Sequence, residues 1–170
     1  MKISQVLLNI KHIINSWKTI MNFTLRLATV KDVPEIAALE GAVFGSHAYP
    51  QIVIRQFFDA LPTLMIVAEA AGGDIVGYTT GALQTGLTDA WMLSLAVSKS
   101  VRRSGVAIAL IDGLSGAAKE LGAKTLKLTV MPSNHAARSA YEKGGFDFES
   151  EDPDYFGVGD GRIVLIKELG

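Results

Sequence analysis

The chain alternates stretches of two hydrophobic periods. Phe23 to Ala28 places Phe, Leu and Leu between Thr, Arg and Ala, the two-residue period of a half-buried strand. Val33, Ile36, Leu39 and Val43 then recur at helical spacing and predict an inward helical face, with Thr29 and Asp32 forming a capping box, Pro34 near the start and Gly45 as the stop. Pro50 opens a second helix through Ile54, Phe57, Phe58 and Leu61, which Pro62 ends. Leu64 to Ala70 and Ile75 to Leu83 are strands separated by an Ala-Gly-Gly-Asp turn short enough for an antiparallel hairpin.

The apolar run Met92 to Val97, within a strand from Trp91 to Ser98, has the character of a buried central strand. Beyond it Ala107, Leu110, Ile111, Leu114, Ala118 and Leu121 share one helical face. Lys124 to Val130 alternates again, with Leu126, Leu128 and Val130 on one side, and Pro132 ends it. Asn134 starts a further helix that Gly144 and Gly145 close, and the strands Phe146 to Glu149 and Arg162 to Glu168 flank an acidic, Gly-rich connection. This order of strand, two helices, three strands, helix, strand, helix and two strands predicts an α/β fold, a mixed sheet with helices on both faces. The segment Gly157-Val-Gly159-Asp-Gly161 precedes a strand and not a helix, so it reads as a turn and not as a dinucleotide loop.

Residues 1 to 20 stand apart. Ile3, Leu7, Ile10, Ile14 and Trp17, widened by Val6 and Ile13, form one helical stripe, and no acidic residue occurs before Asp32. A helix on a membrane surface or on a partner fits this pattern, as does a helix packed on its own domain or on a second copy, or translation beginning at Met21. Lys11 and His12 interrupt the run and no small-residue cleavage pattern follows, which argues against a signal peptide, and the absence of arginine argues against a mitochondrial presequence. The division is therefore an extension over 1–21 and one domain over 22–170, since 170 residues supply one sizeable core.

Composition removes several classes of function. A formal net charge of -1 provides no basic footprint for nucleic acid, and the absence of cysteine excludes disulfides, thiol nucleophiles and zinc-thiolate clusters. Three scattered histidines have no metal-ligand spacing. No apolar run approaches the roughly 18 to 20 residues that span a bilayer, so the expectation is a cytoplasmic protein with no metal.

The chemistry concentrates between the central strand and the helix after it. Arg102-Arg103-Ser104-Gly105-Val106-Ala107 has small residues that permit a tight turn, and a helix start carries about four unpaired N–H groups and roughly half a positive charge. With two arginines at its mouth this is a candidate seat for a diphosphate; a helix start of ordinary composition is the competing reading.

The run Val97, Arg102, Gly105, Ala107, Leu110 resembles the acetyl-CoA signature of the GNAT family of N-acetyltransferases, Gln/Arg-x-x-Gly-x-Gly/Ala after a strand, with Lys99 where the family often has Pro. Asn134, Ala137, Tyr141, Gly145 and Phe146 resemble the family's second signature, Asn-x-x-Ala-x-x-x-Tyr-x-x-x-Gly-Phe. The similar layout extends from about Phe23 to Gly170. The resemblance implies a mostly antiparallel seven-stranded sheet, acetyl-CoA as co-substrate on Arg102 to Ala107, and a central strand diverging near Leu95, Ala96 and Val97 so that its freed groups pair with the pantetheine arm. It implies a backbone N–H of Ala96 or Val97 at the developing oxyanion, Asn134 as a cofactor contact as well as a helix N-cap, and Tyr141 as the general acid that protonates the departing thiolate. A buried aromatic with no catalytic part is the alternative for Tyr141.

Positions where relatives carry a catalytic Glu hold Thr129 and Trp91 here, which leaves Glu40, Asp59, Asp89, His47 or a water as unranked bases. Leu39-Glu40 with Phe44 before Tyr49, together with Asp154-Tyr155-Phe156-Gly157 ahead of Asp160-Gly161, is similar to the branch that acetylates protein N-terminal amines, which includes the ribosomal-protein alanine N-acetyltransferases. Tyr155 falls where that branch grips its peptide, with a surface hairpin aromatic as the equal alternative; Phe156 and a missing Glu depart from the branch's pattern. The implied acceptor is a peptide N-terminus or a small-molecule amine, many relatives dimerise, and a non-catalytic acyl-CoA-binding module is the alternative of a different class.

Overall fold

The structure, a computed structural model, describes residues 5, 8–10, 12, 23–84 and 86–170. Strands β1 (Phe23–Leu27), β2 (Met65–Ala70), β3 (Ile75–Leu83), β4 (Asp89–Val97), β5 (Thr125–Val130), β6 (Asp147–Asp152) and β7 (Arg162–Glu168) form one sheet in the order β1-β2-β3-β4-β5-β7-β6. Every neighbouring pair is antiparallel except β4 and β5. That is the seven-stranded, mostly antiparallel mixed sheet expected, with helices on both faces.

Helices α1 (Val33–Phe44) and α2 (Gln51–Ala60) cover one face over a cluster that includes Val33, Ile36, Ile54, Met65, Val67, Tyr78 and Ala96. Helix α3 (Val106–Glu120) lies on the other face over a larger cluster, to which α4 (His135–Lys143) adds Ala137 and Tyr141. The inward face of α3 is Val106, Ala109, Leu110, Ile111, Leu114, Ala117 and Ala118, while Ala107 is half-buried and Leu121 exposed. Gly77 on β3 admits this helix, since a Cβ there would lie 2.8 Å from Val106 Cγ1 and 3.0 Å from Leu110 Cδ1.

Helix α1 departs from its expected face. Leu39 and Val43 are only half-buried, whereas Glu40 is 1% exposed. The buried stripe is Val33, Ile36 and Glu40, so a carboxylate occupies a core position. At the start of α1 the Asp32 carboxylate accepts from Thr29 N at 2.6 Å and from Arg26 Nη1 at 2.7 Å, joining β1 to the helix.

Strand β6 is longer than its apolar pattern indicates and exposed throughout. Of the N-terminal stripe only Ile10 is described: it is fully buried in the larger cluster, and the neighbouring Asn9 Nδ2 donates to Glu120 Oε2 at 2.8 Å. Ile3, Leu7, Ile14 and Trp17 lie outside the described residues. Among the described residues no helix is long and apolar enough to cross a membrane.

Candidate active site

The parallel pair β4 and β5 is joined over three residues only, Asp89 with Thr125, Ala90 with Leu126 and Trp91 with Lys127. From Met92 onward β4 pairs only with β3, and from Leu128 onward β5 pairs only with β7. The two strands therefore part, and the β5-facing edge of β4 keeps free backbone groups. At the closed end Lys127 Nζ binds Asp89 Oδ2 at 3.2 Å and Glu149 Oε1 at 2.7 Å, and Thr125 Oγ1 donates to Asp89 Oδ1 at 2.8 Å.

The direction of the free groups follows from the ladder on the other edge. Ser98 N donates to Val76 O at 2.9 Å, and along an antiparallel pair the groups alternate, so the amides of Ala96 and Ser94 face β3 while those of Leu95 and Val97 face the opening. Of the two amides singled out by the sequence, the one turned to the opening belongs to Val97. Leu93 is the extra residue of a β-bulge between the pairs Gly81 with Met92 and Thr80 with Ser94. The bulge moves the side chains by one position: Ala90 and Met92 lie in the α3-side cluster and Leu95 and Val97 pack on it, while Ala96 joins the α1-side cluster.

Beyond β4 the chain makes the turn picked out by its arginines. Arg103 has φ 64° and Gly105 has φ 86°, both left-handed, and the Arg103 conformation costs a non-glycine residue on the order of 1 kcal/mol. Ser104 Oγ closes the turn by donating to Val101 O. The first helical bond of α3 runs from Ala109 N to Gly105 O at 3.0 Å, which leaves the N–H groups of Gly105, Val106, Ala107 and Ile108 without an acceptor among the described residues. Arg102 and Arg103 are exposed and enter none of the ion pairs among those residues. Four unpaired amides, the positive end of a 15-residue helix and two guanidinium groups without an ion pair among the described residues give this turn the donors and positive charge that phosphate oxygens require.

Helix α4 carries the second group of residues. Asn134 caps it, its Oδ1 accepting from Ala137 N at 3.1 Å, and Asn134 Nδ2 donates to nothing among the described residues. Tyr141 is half-buried against the same cluster as Leu95 and Val97, edge-on to Phe146 with centroids 5.9 Å apart. Its hydroxyl makes no hydrogen bond among the described residues, and burial pushes the phenol up to about 12, so it stays protonated at neutral pH.

The four side chains considered as bases differ sharply in setting. Asp59 pairs with Arg55 on the exposed side of α2 at 2.8 Å, and Asp89 is held by Lys127 and Thr125. His47 is exposed in the connection after α1. Glu40 is enclosed: its Oε2 accepts from Tyr78 Oη at 2.6 Å and Ser94 Oγ at 3.0 Å, and its Oε1 from Tyr49 N at 3.2 Å. Burial, with the Glu40 charge second, pushes the Tyr78 phenol far above its ordinary range. The bulge and the Ser94–Glu40 contact were not legible beforehand; the signal for the latter was an acid seven residues after Val33 and four after Ile36, on the apolar stripe of α1. Tyr155 and Phe156 stack edge to face at 4.8 Å in the β6–β7 connection, and Arg162 lies over the Phe156 ring at 4.8 Å.

Comparison with known proteins agrees with this geometry. Residues 32–146 match the model of the acetyltransferase (GNAT) family. The chain is 31% identical over 120 residues to the N-alpha-acetyltransferase daf-31 of Caenorhabditis elegans, a stretch covering 66% of each protein. Its fold is similar to that of Ard1 from Thermoplasma volcanium, with a TM-score of 0.78, 25% identity and coverage of 87% of this chain and 98% of that one. It is also similar in fold to the ribosomal-protein-S18-alanine N-acetyltransferase from Escherichia coli, with a TM-score of 0.71, 20% identity and coverage of 87% and 94%.

Proposed function

The chain belongs to the acetyltransferase (GNAT) family, and from that premise we propose that it transfers acetyl from acetyl-CoA to the α-amine of a peptide by direct attack on the thioester. The carrying observation is the open edge of β4 beside the unpaired amides at the start of α3. The residues present fit the co-substrate: Gly105 to Ala107, with Arg102, Arg103 and Ser104 at the mouth, accept the diphosphate, and the outward groups of Leu95 and Val97 pair with the amides of its arm as a further strand would. Ala96 lines the same strand with its amide turned to β3, and Asn134 Nδ2, with no acceptor among the described residues, is available to the arm.

Bound there, acetyl-CoA supplies an activated acetyl thioester. Val97 N–H holds negative charge developing on the carbonyl oxygen, a donor of the kind that contributes roughly 3 kcal/mol. Tyr141 holds the proton for the departing sulfur at Oη, its elevated pKa keeping that proton in place until the C–S bond breaks, and the proton lost by the attacking nitrogen passes to water, from which the phenol is reprotonated. Of the four side chains considered as bases, the three carboxylates are all committed to partners and His47 is exposed in the connection after α1. That favours an acceptor partly neutral near pH 8, and an α-amine titrates at about 7.7 to 8 against about 10.4 for lysine. The worm relative, an N-alpha-acetyltransferase by name, supports the same class.

The test is release of free thiol from acetyl-CoA with three acceptor sets: peptides with free N-termini, the same peptides blocked at the N-terminus but containing lysine, and free amino acids or polyamines. Turnover highest with the first set is expected. Preference for the third moves the acceptor to small amines, and acetyl-CoA binding without thiol release from any set leaves a non-catalytic binder.

A further inference from the structure

Glu40 is the one buried carboxylate of the site that the transfer does not use. Enclosing a carboxylate costs several kcal/mol unless its oxygens are hydrogen-bonded, and an apolar side chain at the same place on the α1 stripe would have filled the space without that cost. Its three donors come from three different segments: the connection after α1 through Tyr49 N, β3 through Tyr78 Oη and β4 through Ser94 Oγ. Ser94 is also gripped at its carbonyl, which accepts from Thr79 Oγ1 at 2.9 Å.

The position of Ser94 gives these contacts their consequence. It directly follows the bulged Leu93 and directly precedes Leu95, in the part of β4 that has a ladder on one edge only. A bulge disrupts the ladder locally, and a strand unpaired on its other side has little else to hold its twist. We propose that Glu40 is a positioning residue that, through Ser94, sets the path of β4 after the bulge and so aims the amides of Leu95 and Val97 into the opening. The role of those amides in turnover rests on the transfer reaction proposed above; the positioning itself does not.

Two readouts test it. In the transfer assay, Glu40→Gln and Ser94→Ala are each expected to lower kcat at least tenfold and to weaken acetyl-CoA binding by a smaller factor, because the pairing of the arm with Leu95 and Val97 is loosened while the diphosphate seat on α3 is untouched. The double variant is expected to lie within twofold of the weaker single, since both changes cut the same link. Losses that multiply, or a folded Glu40→Gln protein with kcat within twofold of the unchanged chain, overturn the proposal. Independently of catalysis, amide hydrogen exchange at Ala96 is expected to quicken at least tenfold in Ser94→Ala with Val67 on β2 unchanged; equal rates at Ala96 overturn it, including where Glu40→Gln does not fold. If the unchanged chain acetylates no amine, the transfer reading falls, and the exchange measurement still decides the part played by Glu40.

Discussion

Trp91 and Lys127 are the last residues paired across β4 and β5. One residue further the strands separate, and everything assigned to acetyl transfer lies on the open side of that pair: the outward amides of Leu95 and Val97, the turn from Arg102 to Ala107, and Tyr141 on the cluster beneath. The closed side is secured by Lys127 between Asp89 and Glu149. Loss of a ladder on one edge is thus a local property of β4, compensated on its other edge by β3.

Reversing one charge at the seat tests the diphosphate assignment. Arg102→Glu is expected to weaken acetyl-CoA binding by about 10- to 100-fold, the scale of a charge-assisted phosphate contact replaced by repulsion. Because Arg102 is exposed and unpaired among the described residues, Tm should be unchanged. Titration calorimetry at two salt concentrations checks this, and the deficit should shrink at the higher one. Affinity equal to that of the unchanged chain would place the seat elsewhere.

Tyr141→Phe removes the proton held at Oη and leaves the ring packed on Phe146. A loss of about 10²-fold in kcat is expected, the lower scale of general acid catalysis, with the acetyl-CoA Kd within twofold. The sign of the pH effect follows from burial, which disfavours the phenolate and raises the pKa to about 12. The acid form is therefore full at neutral pH and persists into alkali, so kcat should show no decline from this group between pH 7 and pH 10, whatever rise the amine itself contributes. A falling limb centred below pH 10 that vanishes in Tyr141→Phe would contradict this.

Much of the architecture was legible because burial on one face imposes alternation: Leu126, Leu128 and Val130 are all enclosed as their spacing requires. The turn proposed as the diphosphate seat was legible too, since Gly105 and the arginines are local features of a strand-to-helix connection. In contrast, Met92 to Val97 is apolar at nearly every position, and a strand with both faces covered carries no periodicity from which a one-residue bulge can be seen. Glu40 was hidden for a related reason: the hydroxyls that enclose it, on Tyr78 and Ser94, are 38 and 54 residues away along the chain.

Acid should loosen the start of α1 through Asp32. The Arg26 guanidinium, chiefly by hydrogen bonding, holds this carboxyl at about 2 against its ordinary 3.8, outweighing desolvation. A depressed folded pKa means that the stabilisation is complete above about pH 4 and is lost as pH falls towards 2. Asp32→Asn should therefore cost on the order of 1–2 kcal/mol at pH 7, allowing for solvent screening of the half-exposed arginine, and markedly less at pH 2.5. Urea unfolding at both pH values measures the difference; an equal cost at each would mean that the pair contributes through its geometry and not its charge.

Removing residues 1–20 separates stability from catalysis. Ile10 is fully buried in the α3-side cluster and Asn9 reaches Glu120 near the end of α3, whereas the proposed diphosphate seat is at the other end of that helix. Loss of one enclosed isoleucine should lower unfolding free energy by about 1.5–3 kcal/mol. Turnover per folded molecule should stay within twofold, because neither the residues assigned to acetyl transfer nor the Glu40–Ser94 contact proposed to position them lies within residues 1–20. Urea titration and thiol release on the same truncated preparation check both halves, and a folded truncation with most of its turnover gone would tie the extension to the active site.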